Sequence, residues 1–351
     1  MEKLKVGIDK SCIDKIEDFN EFDYIYIFEN ENIDDLLELN LHCANIQYLE
    51  YVDINLSSYN VNALKIANIN DKDWKIPPPK KEYTYCIIVP NCNNDHGDYN
   101  GKTFFQNCIE SILNQTYKKF ELIIIDDMST DTSVETVRKY KDKRIHLIQN
   151  KRKRYNGGSR NVGIEYAIDN LKFDYFCFLD SDDWWIDNNV LQTINDELFN
   201  HEMMLIGLQC IDKNGVFLEK IHNYDNYKDF FLSNNKVWCT AWSRIIRKDK
   251  IVYFAEDTLM EDRVWSYRQA DNVDITKVKN LKKILYVWNR LNTSNSVSLQ
   301  RNNIWDASAW CHIGHQKQLL SQLKHIEMKE ILEKRIKECI EKVNRGTFEQ
   351  Y

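Results

Sequence analysis

Short apolar runs alternate with polar or amphipathic segments along this chain, and two of the runs end directly in carboxylates. Leu122–Ile125 is followed by Asp126-Asp127, and Tyr175–Leu179 is followed by Asp180-Ser181-Asp182-Asp183. Continuous apolar runs of this kind are typical of strands that are buried on both faces of a parallel sheet. Ligands of open α/β sheets bind at the carboxyl ends of the strands, so we expect both acidic turns to line one crevice.

Carboxylates gathered in one crevice repel each other and need a compensating cation. Oxygen ligands suit Mg²⁺ or Mn²⁺, and these ions commonly bridge one or two carboxylates to the phosphates of a substrate. The two acidic turns therefore predict a divalent metal ion that holds a diphosphate.

Further elements follow from the same pattern. Tyr85–Pro90 is predicted to be the first strand of the catalytic sheet, and we expect Pro90 to end it because proline has no N–H group for the ladder. A helical apolar period predicts an amphipathic helix over Phe104–Asn114. The apolar face of this helix consists of Phe105, Cys108, Ile109 and Ile112.

Proline marks a predicted domain boundary. Three of the four prolines stand together as Pro77-Pro78-Pro79, and such a run favours extended polyproline II, which predicts a stiff linker over residues 77–82. Before it, residues 1–76 are predicted to form a small α/β domain that serves packing or oligomerisation, with acceptor recognition as the alternative. Residues 83–300 are predicted to form the catalytic domain, and residues 301–351 a C-terminal helical segment.

Composition narrows the class of protein. A chain of 351 residues exceeds what one hydrophobic core usually serves. We find no apolar run of membrane-spanning length and no signal peptide, and the ten cysteines form no Cys-x-x-Cys pair. These features predict reduced thiols and a cytoplasmic location. The net charge of −7 provides no overall basic field for nucleic acid.

Five segments of the chain occur in a characteristic order. They are Val89–Asn93, Ser111–Glu121, Asp126-Asp127, Ser159–Gly163 and Asp180–Asp183. From about Tyr83 to Ser298 the chain resembles the family 2 glycosyltransferases. The resemblance implies an α/β GT-A fold with a Rossmann-like nucleotide-sugar-binding sheet. It also implies an inverting enzyme that uses a nucleotide-sugar donor, with a UDP-sugar expected, and Mn²⁺ or Mg²⁺ as cofactor.

The same resemblance assigns residues to the donor. Pro90 and Asn93 are implied to line the nucleotide base, and Asp127 is implied to accept a hydrogen bond from it. Met128 stands where the family usually has glycine, and it is mildly strained if the position keeps a positive φ. Arg160 is implied to face the donor diphosphate, whereas the preceding run Lys151–Arg154 is either a solvated basic loop or part of that site.

In the second acidic turn, the resemblance makes Asp182 the direct metal ligand and places Asp180 near the ribose and a metal-bound water. Asp183 is expected to orient the turn as a hydrogen-bond acceptor. The following Trp184-Trp185 pair is either core or sugar-facing, and burial is the commoner fate of tryptophan. The polar segment Asn94–Lys102 is longer than the usual link in the family, and we expect no more of it than a mobile rim.

Inverting transfer needs a general base within hydrogen-bond reach of the acceptor hydroxyl. Met260-Glu261-Asp262 fits the Glu-Asp pair that supplies this base in the family, so Asp262 is the predicted catalytic base. Tyr286–Ser298 resembles the closing strand and loop, often a lid over the donor. No Gln-x-x-Arg-Trp motif follows, which argues against a processive polysaccharide synthase.

The acceptor stays open at this point. A glycan or glycan precursor is the first expectation. The alternative is 5-hydroxymethylcytosine in DNA, because the Asn-, Lys- and Ile-rich composition resembles that of T4-like phage proteins; the stretch Lys139–Arg154 would then contact phosphates.

A rival of another class is an inactive nucleotide-sugar-binding protein, but all three motif acids are present. A nicotinamide enzyme is excluded because Pro90–Asn93 stands where a Gly-x-Gly-x-x-Gly turn would be needed.

Overall fold

The computed structural model divides the chain into two compact units, Met1–Pro78 and Pro79–Tyr351. The structure describes residues 4–9, 22–28, 45–48, 64–65, 81–151, 155–211, 217–220, 241–258, 261–291, 303–324 and 326–345.

The first unit contains a parallel sheet of four described strands in the order β1-β2-β3-β4. The strands are β1 (Leu4–Asp9), β2 (Phe22–Phe28), β3 (Asn45–Tyr48) and β4 (Leu64–Lys65). These strands lie within residues 1–76, which are predicted to form a small α/β domain. The segments between them and the triple proline lie outside the described residues, and the role of this unit stays a prediction.

The second unit is built on a mixed sheet that contains nine described strands. They are β5 (Tyr85–Asn91), β6 (Phe120–Asp126), β7 (Ile145–Gln149), β8 (Tyr175–Phe178), β9 (Trp184–Trp185), β10 (Met203–Ile211), β11 (Phe217–Lys220), β12 (Arg244–Arg247) and β13 (Val278–Asn289). Their order is β7-β6-β5-β8-β12-β10-β13-β9, and β11 pairs with β10.

The half of the sheet that contains β7, β6, β5 and β8 is entirely parallel. The carboxyl ends of these strands therefore meet at one edge. Strand β5 runs one residue beyond Pro90, which differs from the expectation that proline ends it. The physical reason is that β8 pairs with β5 only as far as Ile88. Pro90 lies beyond the part of β5 that pairs with β8, so its missing N–H group costs no hydrogen bond between these two strands.

Helices cover both faces of this sheet. The described helices are α1 (Phe104–Leu113), α2 (Ser133–Lys139), α3 (Tyr155–Asn170), α4 (Val190–Leu198), α5 (Glu261–Asp271), α6 (Asn303–Gln322) and α7 (Ile326–Asn344). The amphipathic prediction for α1 is confirmed, since its four predicted face residues are buried. Its start is fixed by a capping box between Thr103 and Gln106.

Alternate residues of β5 point into two separate cores, as the two-residue period of a strand requires. Tyr85, Ile87 and Val89 pack with α1 and α4. Cys86 and Ile88 pack with α3 and with α5 to α7. The parallel half of the sheet is thus covered on both faces, which is why its strands are continuous apolar runs. No helix in the described part of the chain is both long and apolar enough to cross a membrane.

Candidate active site

The structure brings the two predicted acidic turns to the same edge of the sheet. Asp126 ends β6, and Asp180 follows β8 by two residues. Both strands flank β5 in parallel. Backbone hydrogen bonds from Asp127 N to Asn91 O (2.7 Å) and from Leu179 N to Ile88 O (3.1 Å) hold the two turns to the central strand.

The first acidic turn is organised by its own buried carboxylate. Asp126 is 4% exposed and accepts a hydrogen bond from Ser129 N over 3.2 Å. Between them, Met128 has a φ of 57°, so the position does keep the positive φ expected where the family usually has glycine. The Asp127 carboxylate points to a different partner, accepting from Asn150 Nδ2 over 2.8 Å. The same amide donates to Ser159 Oγ over 3.0 Å and so links this turn to helix α3.

Pro90 and Asn93, the residues predicted to line the nucleotide base, lie beside this turn. Pro90 is buried in β5 and stands opposite Ile125. Asn93 has a φ of 55°, and its Oδ1 accepts hydrogen bonds from Thr130 N over 2.6 Å and Asp131 N over 3.2 Å. In the described structure Asn93 therefore joins two loops of the crevice, and its contact with a donor stays a prediction.

The second acidic turn is held from outside by the end of β13. Asp183 is 1% exposed and accepts from Tyr286 Oη over 2.6 Å and from Asn289 N over 2.7 Å. Burial, together with the charges of Asp182 and Asp180, raises the pKa of the Asp183 carboxyl. Asn289 Nδ2 also donates to the backbone oxygen of Asp182 over 2.9 Å. Asp183 thus orients the turn, which is the role expected of it.

Asp180 and Asp182 are the half-buried carboxylates of this turn. Two hard oxygen donors beside an open crevice fit Mg²⁺ or Mn²⁺, which commonly take one or two carboxylates and complete their shell with phosphate and water. No group of three or more histidine, cysteine or acidic side chains converges as a metal site within the described residues. The residues present therefore suit a metal ion that arrives together with a diphosphate.

Arg160 occupies the floor of the crevice on α3. Its side chain is 4% exposed, and its two terminal nitrogens bind two different carboxylates. Nη2 donates to Asp180 Oδ1 and Nη1 donates to Glu261 Oε1, each over 2.6 Å. Burial opposes the charge of Arg160, but Asp180, Glu261 and Asp262 outweigh it and raise the pKa of the guanidinium. The described partners of Arg160 are thus protein carboxylates, and the predicted contact with the donor diphosphate stays a prediction.

Helix α5 begins with the predicted Glu-Asp pair. Glu261 is 5% exposed, and burial raises its pKa to about 8 in spite of the attraction of Arg160. Asp262, the predicted base, is half-buried on the first turn of the same helix. Asp262 is close enough to Arg160 to stabilise its charge. The structure therefore brings Asp262 and Asp180 to the same guanidinium, although 82 residues separate them in the sequence.

The polar segment Asn94–Lys102 is anchored, which differs from the expectation of a mobile rim. Asn94 Nδ2 donates to Ser181 Oγ in the acidic turn over 2.7 Å. Tyr99 stacks on Trp184, with 4.8 Å between the ring centroids. Trp184 and Trp185 are both buried, as is commoner for tryptophan. The basic run at residues 152–154 and the predicted lid at Ser294–Ser298 lie outside the described residues.

Sequence reasoning missed four residues that shape this site. They are Asn150, Glu261, Tyr286 and Asn289. Glu261 had a local signal, since it directly precedes the predicted base. Asn150 also follows a predictable strand, as the first residue after β7. The other two lie in the segment that resembles the closing strand of the family. Their contacts had no local signal, because their partners in the acidic turn lie more than a hundred residues away.

Comparisons with known proteins agree with this geometry. The sequence model of Glycosyl transferase family 2 matches residues 86–255, which include both acidic turns and Arg160. This part of the chain belongs to glycosyltransferase family 2. The predicted family is thereby confirmed.

Curated relatives are similar to a part of this chain. An uncharacterized glycosyltransferase of Haemophilus influenzae is 39% identical over 111 residues, which cover 31% of this chain and 43% of the relative. Escherichia coli WfaP is named a UDP-Glc:alpha-D-GlcNAc-diphosphoundecaprenol beta-1,3-glucosyltransferase. It is 40% identical over 97 residues, which cover 28% of this chain and 37% of WfaP. The chain thus spans less than half the length of these two curated relatives.

A solved structure shows the fold of the family 2 domain. Residues 1–349 of S. aureus TarS, crystallised in complex with UDP, superpose with a TM-score of 0.52 at 19% sequence identity. The match covers 71% of this chain and 69% of that chain. The predicted GT-A fold is confirmed by this likeness.

Proposed function

We propose that this protein is an inverting glycosyltransferase that moves a sugar from a nucleoside-diphosphate donor to an acceptor hydroxyl. One observation carries the proposal: the second acidic turn of the family 2 region and the helix that bears Asp262 meet at a single buried arginine. This arrangement supports the proposal because the turn proposed to bind the metal ion and the diphosphate would lie beside Asp262, the proposed base.

The donor would lie across the carboxyl ends of β5, β6 and β8. Asp127, oriented by Asn150, would accept a hydrogen bond from the nucleotide base. Asp180 would lie near the ribose, and Asp182 would hold the metal ion at the diphosphate. A bound Mg²⁺ or Mn²⁺ would supply Lewis-acid stabilisation of the negative charge that develops on the leaving diphosphate.

The transfer would be a single displacement. The acceptor oxygen forms a bond to the anomeric carbon while the bond from that carbon to the diphosphate oxygen breaks. The electron pair of the broken bond leaves with the nucleoside diphosphate, and the acceptor proton passes to the carboxylate of Asp262. Because the acceptor attacks the face opposite the leaving group, the anomeric configuration is inverted.

The relatives favour a glycan precursor as the acceptor and a UDP-sugar as the donor. The name of the similar Escherichia coli protein gives UDP-Glc as its donor and a diphosphoundecaprenol-linked sugar as its acceptor. This chain is 40% identical to that protein over 97 residues. DNA as the acceptor has no corresponding support from the relatives. Residues 152–154 of the stretch Lys139–Arg154, which was predicted to contact phosphates in that case, lie outside the described structure.

The test begins with donor binding. We expect UDP with Mn²⁺ to raise the melting temperature more than other nucleoside diphosphates do, and Asp182→Asn to abolish the metal-dependent part. Transfer from UDP-sugars is then measured on a lipid-linked sugar diphosphate and on hydroxymethylated DNA over a range of salt concentrations. Product on the glycan with little salt dependence supports the proposal, whereas product on DNA that falls steeply with salt would favour the nucleic-acid acceptor.

Two results contradict the proposal as a whole. If no nucleoside diphosphate stabilises the protein in the presence of Mn²⁺, the donor site is wrong. If a donor binds but is neither transferred nor hydrolysed with any acceptor, the protein is a nucleotide-sugar-binding protein instead of an enzyme.

A further inference from the structure

Arg160 joins two parts of the site that are far apart in the sequence. Asp180 lies 20 residues after it and Glu261 lies 101 residues after it, yet both carboxylates are 2.6 Å from its guanidinium. One end of the planar fork holds the second acidic turn, Asp180–Asp183, which we call the donor turn. The other end holds the first turn of α5. A guanidinium suits this task because its N–H groups have a fixed geometry.

Helix α3 is held tightly against the segment that leads into α5. Arg160 therefore cannot shift without moving this segment. Asn161 donates from Nδ2 to Phe254 O over 3.1 Å, and its Oδ1 accepts from Phe254 N over 2.8 Å. A Cβ atom added to Gly157 would lie 2.1 Å from Ala255 O and 3.1 Å from the Glu261 side chain. Glycine is therefore required for this close approach, and the backbone around Arg160 is fixed on both sides.

The link depends on burial. Arg160 and Glu261 expose only 4% and 6% of their side chains, so neither group can exchange its partner for water. Removing either side chain leaves a polar atom of the other buried without its hydrogen-bond partner, which is costly. The two helices are thus joined by a contact that water does not replace.

We propose that Arg160 is a positioning residue which, through Glu261, holds the base-bearing turn of α5 at a fixed distance from the donor turn. The role given to Asp262 in this inference rests on the proposed function. The mechanical link between the two turns does not, because it follows from the contacts of Arg160 alone. Arg160 would not touch the reacting atoms and would act through the placement of Asp180 and Asp262.

The kinetic consequence separates positioning from donor binding. A displacement of about 1 Å in a catalytic group can cost on the order of 100-fold in rate. We therefore expect Arg160→Lys, which keeps a charge but loses the fork, to lower kcat by about 10- to 100-fold. The KM for the donor should rise by a smaller factor than kcat falls, because Asp180 loses its contact with the fork while Asp127 keeps its own contact with Asn150. Glu261→Gln keeps an oxygen that accepts from Arg160, so it should retain much more activity than Glu261→Ala.

The link itself is tested by hydrogen exchange of the full chain without ligand. We expect Arg160→Lys and Arg160→Met to speed amide exchange both in peptides covering Glu261–Asp271 and in the turn at residues 180–186. Arg247→Lys is the matched control, since Arg247 also pairs with a buried carboxylate, Glu202, over 3.2 Å. It lies next to Tyr175 at the start of β8, at the opposite end of the strand. The control should leave exchange in both peptides unchanged.

Each outcome decides the inference. Faster exchange in both peptides supports the link even if no sugar is transferred by the wild-type protein, in which case the proposed function fails and the link stands. Unchanged exchange in the α5 peptide of both Arg160 variants overturns it. If Arg160→Met does not fold, Arg160→Lys decides alone, because it keeps the buried charge. Equal losses in kcat for Glu261→Gln and Glu261→Ala would overturn the positioning role through Glu261.

Discussion

The hydroxyl group of Tyr286 donates a hydrogen bond to the Asp183 carboxylate over 2.6 Å and so joins the end of β13 to the acidic turn. The same hydroxyl oxygen accepts from Asp180 N over 3.3 Å. One buried phenol thus holds both ends of the turn that carries the predicted metal ligand. Burial and the neighbouring charge of Asp183 raise the pKa of Tyr286, so the phenol stays a donor at any physiological pH.

Removing this hydroxyl group should loosen the turn. In Tyr286→Phe the buried Asp183 carboxylate loses a donor, which we expect to destabilise the fold by about 1–3 kcal/mol. Binding of UDP with Mn²⁺ should weaken as well, measured by calorimetry. Tyr117→Phe is the control, because the Tyr117 hydroxyl is also buried and donates to Tyr83 O over 2.7 Å, outside the crevice. If both variants lose donor affinity equally, the turn does not depend on Tyr286.

Asp182 is predicted to carry the metal-dependent part of donor binding. Asp182→Asn keeps the volume of the side chain but removes its charge, so transfer and metal-dependent nucleotide binding should be lost while the fold stays intact. Asp187→Asn is the control in the next turn, where the exposed carboxylate accepts from Asn189 N. Full activity of Asp182→Asn, or undiminished wild-type turnover in excess chelator, would refute the metal role.

Asp262 is predicted to act on the acceptor and not on the donor. Asp262→Asn cannot take a proton, so turnover should fall by about 10²–10⁴-fold while the dissociation constant of UDP is retained. Asp271→Asn, at the other end of α5, should leave turnover unchanged, because the amide oxygen can still accept from Lys324 N. A loss of donor affinity without a loss of turnover at saturation would place Asp262 in the donor site.

Glu261 should give the protein a stability that depends on pH. Burial raises its pKa from 4.5 to about 8, against the attraction of Arg160. Between these values the folded state holds a proton that the unfolded state has released. The contribution is therefore full below about pH 4.5 and lost as the pH rises through about 8.

Urea denaturation across this pH range measures the effect. In the wild-type protein the free energy of unfolding should fall as the pH rises from about 4.5 to about 8. In Glu261→Gln this fall should be less steep, by up to about 1.4 kcal/mol per pH unit. Glu202→Gln is the control, because the pKa of Glu202 is lowered despite its burial by a hydrogen bond from Asp274 N and by Lys250. The carboxylate of Glu202 is ionised in both states over most of this range. An unchanged slope in Glu261→Gln would show that Glu261 is ionised in the folded state.

Met128 offers a test of backbone strain. A left-handed conformation costs a non-glycine residue about 1–2 kcal/mol, and glycine costs about 0.5–1 kcal/mol in unfolded-state entropy. Met128→Gly should therefore raise the free energy of unfolding by up to about 1 kcal/mol, measured by denaturation. Met128→Ala is the control, because it removes most of the exposed side chain but keeps the Cβ atom. If Met128→Gly has a lower free energy of unfolding than Met128→Ala, the backbone at residue 128 is not strained.

Local features of this protein could be predicted because they depend on neighbours in the sequence. The apolar runs before Asp126 and Asp180 predicted two buried strands, and the helical period predicted α1. The positive φ of Met128 followed from the turn chemistry that the family places there. The order of the motifs identified the family, and the family implies a sheet with parallel strands. Acidic turns that follow parallel strands lie at the same edge of the sheet.

The partners of the site residues were decided by the tertiary structure alone. Asp183 is satisfied by Tyr286 and Asn289, which lie 103 and 106 residues away, and Arg160 turns to Glu261 across 101 residues. Such pairs depend on which strands become neighbours and how closely the helices pack, and no local period records either. The sequence by itself determined which chemical groups stand at the ends of the strands. Only the packing of β13 and α5 against those ends decided which groups are buried, which are paired and which face the crevice.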